Sequence, residues 1–426
     1  MKKNTSPWKN TLVASMTSYI NAGAIVAGAA SLSLWEKYLG MDAGMIGLLA
    51  AFSANAGAAA IGAIIGGRLC DKYGRKQVYV HNLLVYVIGT LLIVFAHNFA
   101  LLFAGYIVVG LAVGADIVSS WTIIAENAPA KDRARHCGSA QIAWALGPVI
   151  VYALSIALTP LESVGDGVLG SRLIFAHLAV IAFVIWLIRR NMPESETWLK
   201  EKELLASGAI EKPKMKDLFQ GVNLKGMLLL IGVYTVWLLP AGTMGFFMPY
   251  IFENLGGIGH TGSTVLSMII FGVSIPATYF IFMSLGDKYN RRTIYCITSC
   301  VFIAAWLGFF LPPAHITMAV LGVMVVFMGI NNGSGQQAFY QLWSGEIFPA
   351  RYRGSAQGIL FFIARGLLTV WCYFLPVIMK YNFKIAVGLL VSFTVVSMLV
   401  GTLFAPKTQG KTLEEITKER YGEDFS

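Results

Sequence analysis

The chain has 426 residues, of which 56% are apolar and only 13% charged, with a formal net charge of +10. Soluble globular proteins carry about 25% charged residues, so this chain lacks the polar surface that water requires. A soluble fold is excluded, and lipid becomes the main solvent.

In chain order, Met1–Lys9 is short and basic, and the apolar run behind it is of full span length. It does not read as a cleaved secretory signal. Asn10–Trp35, Ala43–Gly67, Gln77–Ala115, Asn254–Gly286 and Thr293–Gly345 contain no Asp, Glu, Lys or Arg. About 20 apolar residues cross the hydrocarbon core as a helix. Gln77–Ala115 and Thr293–Gly345 therefore each hold two spans, the second divided at Pro312-Pro313. Spans are predicted over 10–35, 44–67, 77–96, 99–125, 137–160, 171–188, 225–252, 263–285, 293–311, 315–343, 355–379 and 383–405. Barrel strands would alternate over about ten residues, and these runs are longer and uniformly apolar. The expected fold is an all-α membrane protein with twelve transmembrane helices.

Orientation follows from the basic residues. With the N-terminus in the cytoplasm, all but five of the 32 lysines and arginines lie in cytoplasmic segments. The exceptions are Lys37, Arg172, Lys380 and Lys384 outside, and Arg365 within a span. Both termini are expected in the cytoplasm of a multi-pass protein of the cell (plasma or inner) membrane. The net charge then reflects topology and an anionic leaflet, and nucleic-acid binding is not expected. The five cysteines imply no disulfide framework. Cys296 and Cys300, four apart in an apolar run, suit packing.

The polar stretch around 191–224 reads as a linker between a six-helix bundle over 1–190 and a second over 225–405, with a tail over 406–426. The halves repeat. Asp71-Lys72-Tyr73-Gly74-Arg75-Lys76 follows the second span, and Asp287-Lys288-Tyr289-Asn290-Arg291-Arg292 follows the eighth. Glu126…Pro129…Arg133 ends the fourth span, and Glu346…Pro349…Arg353 ends the tenth. Duplicated, pseudo-symmetric helical halves with a site at their interface are a transporter architecture that works by alternating access.

These motifs resemble those of the major facilitator superfamily, and within it the sugar porters and related metabolite symporters. Gly67-Arg68-Leu69-Cys70-Asp71-Lys72-Tyr73-Gly74-Arg75-Lys76 resembles the loop signature between spans two and three. Pro193-Glu194-Ser195-Glu196-Thr197-Trp198-Leu199 and Pro406…Gly410-Lys411-Thr412-Leu413-Glu414-Glu415-Ile416 resemble the two sugar porter motifs after spans six and twelve.

Asp71, Arg75, Glu126, Arg133, Asp287, Arg291, Glu346 and Arg353 fall at cytoplasmic span ends. They read as a gate whose pairs form when that side closes and part when it opens. Ala50, Ala54, Ala58, Gly62 and Gly66 place a small residue every four along span two, a face for close helix packing.

Ionisable residues inside spans are functional candidates. Asp116 in span four is the candidate proton carrier. Arg365 in span eleven is a fixed cation that either meets an anionic group of the solute or neutralises Asp116. The resemblance assigns Gln141, eight residues after Arg133, to contact with sugar hydroxyls. The chain departs from the sugar porters at Tyr106, where they have an arginine, and at Asn21, where proton-coupled members often have an aspartate. It departs again at Val236-Trp237 and Gly242, in place of a Gln-Gln…Asn set. Asn21, Gln336, Gln337 and Gln341 are further polar candidates for the solute. The last two share a helix face at i,i+4. Trp144, Trp237, Tyr340 and Trp371 are candidates for stacking on a ring or shaping a cavity.

The expected function is secondary active transport of a small polar metabolite, a sugar, polyol or small organic acid, by proton symport. An uncoupled facilitator or antiporter is the alternative. A solute sensor on a transporter scaffold would carry a longer cytoplasmic extension. No nucleophile–base set, metal-ligand cluster or phosphate loop is evident, so no enzyme activity, cofactor or metal is expected. The expected partners are the solute, protons and the lipid bilayer, with a monomer as the working unit.

Overall fold

The computed structural model describes residues 7–422 except 55, 191–193, 209–213, 257, 259 and 313–314. Pro193 and Pro313 of the sequence reading lie outside the described residues, and the Ala50 side chain lies outside those described. Among the described residues every regular element is helical. Two six-helix bundles lie side by side in the predicted twelve-span order.

The first bundle comprises α1 (Pro7–Leu39), α2 (Ala43–Ala51), α3 (Gly57–Tyr73), α4 (Arg75–Val94), α5 (Phe99–Asn127), α6 (Arg133–Leu158) and α7 (Leu169–Arg189). α8 (Glu196–Ala206) follows in the linker. The second bundle comprises α9 (Gly221–Leu230), α10 (Val236–Gly256), α11 (His260–Ala277), α12 (Arg291–Leu307), α13 (Met318–Ser334), α14 (Gln336–Glu346), α15 (Ala350–Tyr381) and α16 (Phe383–Phe404). α17 (Leu413–Tyr421) closes the chain. Helix starts follow the polar residues between apolar runs. Asn98 accepts from Leu101 N at 2.9 Å, Thr317 caps α13, and Thr412 with Glu415 forms a capping box on α17.

Eleven helical stretches are long and apolar enough to cross a membrane. The twelfth, span two, is interrupted between α2 and α3, which the charge-free run does not reveal. Phe52-Ser53-Ala54 carry the interruption, and Gly110 of α5 packs against Ser53 and Ala58. Span ten is also broken. Gly335 separates α13 from α14, with φ −100° and ψ −138°. Side chains cap the freed backbone, since Thr278 Oγ1 donates to Gly333 O at 2.8 Å. Broken helices at membrane depth are tolerated where protein or a wet cavity surrounds them. Two wider π-turns, Ile231–Thr235 and Thr278–Met283, interrupt spans seven and eight.

The solvent logic is inverted. Ile88, Val180, Phe280 and Leu403 are exposed on the outer faces, while Asn21, Asp116, Gln141, Gln336 and Gln341 are buried. Within the first bundle α1 packs on α6 and α4 on α5 and α7. Within the second α11 packs on α13 and α12 on α16. Two seams join the bundles, α3 against α15 and α6 against α11. The small-residue stripe faces inward to its own bundle. A Cβ on Gly62 would lie 2.1 Å from Leu111 O, and one on Gly66 2.5 Å from Ala115 Cα. Gly67 beside it faces the other bundle, where a Cβ would come within 2.3 Å of Gly354 O.

Candidate solute site and gate

Three layers stack along the interface between the bundles. α6 carries Arg133 first, then Gln141, then Trp144 and Pro148. α14 runs the opposite way, with Gln337 first, then Gln341, then Glu346. The result is a charged layer at the end that holds both described termini, an amide layer above it, and a cavity beyond.

The charged layer is closed and is built twice. Arg75 pairs with Glu126 at 3.0 Å and with Asp71 at 3.4 Å, and Arg353 of the second bundle reaches the same Glu126 at 2.6 Å. Arg291 pairs with Glu346 at 3.0 Å and with Asp287 at 3.1 Å, and Arg133 of the first bundle reaches that Glu346 at 2.8 Å. The aspartates reciprocate. Asp71 accepts from the backbone N–H of Gly354 at 3.1 Å and Ser355 at 2.6 Å, in the first turns of α15. Asp287 accepts from Ala134 at 2.9 Å and Arg135 at 3.3 Å, in the first turn of α6. Each bundle thus places a carboxylate on the backbone of a helix of the other, and Asp287 meets the first turn of α6, where the helix dipole favours an anion. Burial pushes the Asp71 carboxyl up to about 6, and raises Asp287 as well.

The linker and tail motifs brace this layer, a role the sequence reading did not foresee. Glu194 accepts from the N–H groups of Arg75 and Lys76 at 3.0 and 3.1 Å, and Ser195 hydrogen-bonds Glu126. On the other side Arg291 donates to Thr408 at 2.9 Å. The signal was present, because both motifs follow a final span and carry hydroxyl residues, but their partners lie far off in sequence.

The amide layer bridges the bundles. Gln141 Nε2 donates to Gln341 Oε1 at 2.7 Å, and Gln337 Nε2 donates to Gln141 Oε1 at 3.1 Å. Gln341 Nε2 is buried without a hydrogen-bond partner. Buried donors in this state are rare, and such groups gather where a ligand or water is handled.

The cavity above encloses about 650 Å³ of empty space, its open mouth included. Trp144, Trp237, Gln337, Asn332 and Arg365 supply its polar and aromatic wall, and Ala22 and Ala29 of α1 its small-residue face. Trp237 is fixed by donating to Asn331 at 3.1 Å, and Asn332 by donating to Ser274 at 2.9 Å. Arg365 is the single ionisable residue among the described lining residues. Its guanidinium lies 4.8 Å over the Phe361 ring.

The other candidates lie outside the wall. Gln336 donates to Ser299 at 3.0 Å and accepts from Asn331 at 2.7 Å, within the second bundle's own core. Tyr340 stacks on Tyr234 with centroids 4.0 Å apart. Asn21 donates to Asp116 at 2.8 Å. Asp116 is not neutralised by Arg365. Its partner is Arg189, at 2.9 Å, whose guanidinium also stacks 3.3 Å over the Tyr79 ring. Arg189 is the last residue of α7 and is fully buried. In sequence it stands next to Arg190 at the edge of the polar stretch, which hides its direction.

A family model for the Major Facilitator Superfamily matches residues 11–372. The chain belongs to the Major Facilitator Superfamily. Over 421 residues it is 47% identical to the "Minor myo-inositol transporter IolF" of Bacillus subtilis, covering 97% of this chain and 94% of that one. It is 28% identical to the "Glucose transporter GlcP" of Staphylococcus epidermidis, covering 84% and 86%. In structure it resembles the proton:xylose symporter XylE bound to 6-bromo-6-deoxy-D-glucose. The TM-score is 0.83 at 18% identity, over 97% of this chain and 99% of that one. Against a partially occluded inward open conformation of XylE from E. coli the TM-score is 0.69 at 18% identity, covering 95% and 99%. As a superfamily member the chain is a membrane transporter and not an enzyme.

Proposed function

We propose that the chain is a secondary active transporter of neutral cyclic polyols and sugars, with myo-inositol as its leading solute, working by alternating access. The observation that carries this reading is the Gln141–Gln337–Gln341 bridge beside a tryptophan-walled cavity. Amides both donate and accept, which matches a ring of hydroxyls, and tryptophan faces suit the ring's C–H surface. The described wall holds no carboxylate. Relatedness to a myo-inositol transporter at 47% identity supports the same class. Gln141, Trp144, Trp237, Gln337 and Gln341 are the proposed solute contacts, with Arg365 donating to a hydroxyl.

With both termini in the cytoplasm, the sealed charged layer makes this an outward-facing state. The 191–224 segment then links two rocking bodies, 1–190 and 225–405. Protons are the proposed driving ion and Asp116 the carrier, with Arg189 as its counter-charge. Asn21 gives a route for coupling. It precedes the wall residue Ala22 on α1, so a shift of α1 onto the solute loosens its hydrogen bond to Asp116.

A second reading has its own support. The 2.9 Å pair with Arg189 balances Asp116 without any proton, as in a facilitator. Radiolabelled myo-inositol uptake into proteoliposomes tests both. Symport predicts accumulation that collapses when the proton gradient is removed, and Asp116→Asn retaining counterflow but losing accumulation. Uptake indifferent to the gradient leaves the facilitator. No uptake of any cyclic polyol or hexose overturns the solute class.

A further inference from the structure

The charged end holds a second cavity, outside the proposed solute path. It lies between α8, the first turn of α15 and α17 and encloses about 890 Å³, open solvent included. Lys200, Arg351, Arg353 and Lys418 line it against Glu201 and Glu414. A recess walled by an excess of cations concentrates anions. Arg353 and Glu201, which line it, each hold a buried atom with no hydrogen-bond partner. Arg353 is 1% exposed, with Nη1 on Glu126 and Nη2 on Phe348 O, while its Nε has no hydrogen-bond partner. Glu201 Oε2 is buried with none either. An unmatched donor and an unmatched acceptor on residues lining one recess are costly until a ligand or water meets both.

We propose that this recess binds a soluble phosphate monoester of a sugar or polyol. Arginine and lysine heads recognise the phosphate, and Glu201 and Glu414 accept from hydroxyls on the same ligand. Lys200 and Glu414 pair only at 3.8 Å with both side chains mostly exposed, so the pair opens at little cost. Leu204, Leu413 and Ala350 are the apolar residues among its described lining, and the vesicle arm of the test separates a soluble monoester from a lipid headgroup. Such a ligand joins α8, α15 and α17 and holds Arg353, which bonds Glu126 of the first bundle. It stabilises the closed charged end and slows transport of the unphosphorylated solute. That consequence rests on the transport reading, whereas binding does not.

The test is calorimetric titration of the full-length protein in detergent with myo-inositol 1-phosphate, with inorganic phosphate and myo-inositol as comparators. Saturable binding of the monoester is expected, unaffected by excess myo-inositol. The double variant K200A/K418A should weaken it about tenfold or more, while its myo-inositol uptake without monoester matches the parent. Vesicles of phosphatidylcholine with and without phosphatidylglycerol separate the two phosphate sources, and displacement by phosphatidylglycerol assigns the recess to lipid and overturns the soluble ligand. Absent binding, equal binding by the double variant, or displacement by myo-inositol also overturns the proposal. Intact monoester binding with no uptake sinks the transport reading alone.

Discussion

Asp71 accepts the backbone N–H of Ser355 at 2.6 Å, so a carboxylate of one bundle meets the backbone of a helix of the other. Asp287 returns the same contact to Ala134 at 2.9 Å. Asp71→Ala removes both acceptors and the charge. The lost hydrogen bonds cost about 1 kcal/mol. The charged end should open in a larger share of molecules, about fivefold. Pulsed electron resonance between spin labels at the exposed Lys131 and Lys288 positions should show the longer distance growing.

The same carboxyl sets a pH dependence. Burial raises Asp71 to about 6 in the closed form, against an ordinary value near 4 in water. The closed form therefore binds the proton more tightly. Closing is favoured at pH below about 4, and that advantage is lost as pH rises through about 6. Between pH 7.5 and 5 the short distance should gain population, and Asp71→Asn should flatten the response. A parent whose distances do not change over that range would refute the linkage.

Gln141→Ala leaves Gln337 and Gln341 facing each other across a gap. A lost bond with an orphaned buried partner costs about 1–3 kcal/mol. The KM for myo-inositol should rise about tenfold or more, and Gln141→Asn should recover little because its amide is one methylene short.

The Asp116–Arg189 pair should behave as a unit. Breaking a buried pair from one side costs about 3–5 kcal/mol. Arg189→Gln should lower the thermal midpoint in detergent sharply, and adding Asp116→Asn should restore part of it. Additive losses would show that the two charges do not depend on each other.

Gly67→Val places methyls where Gly354 O already sits, 2.3 Å from a Cβ. Overpacking of about 1–3 kcal/mol should fall on the closed form. The variant should label faster at cysteines near the charged layer and transport more slowly.

Much of this was legible in the sequence, for reasons that differ by residue. Spans showed as charge-free runs, and the charged pairs could be expected because Asp71 and Glu126 recur as Asp287 and Glu346. The breaks did not show, since Gly335 sits in an apolar run that reads as continuous. That break also decides which of two neighbouring glutamines meets the cavity. Gln336 and Gln337 stand about 100° apart on a helix, and the sequence carries no phase across Gly335. The Arg189 partnership was hidden because a buried arginine and an exposed one, Arg190, are identical letters at a helix end.

The seam between α3 and α15 has a further consequence. Where Gly67 meets Gly354 backbone lies against backbone, with the Asp71 carboxylate beside it. Such a contact has no knobs to lift out of holes, so it offers little resistance to shear. The ionic contacts sit at its rim, Arg353 on Glu126 and Asp71 on Ser355. On the proposed alternating access, a small solute need only outweigh that clasp to turn the seam.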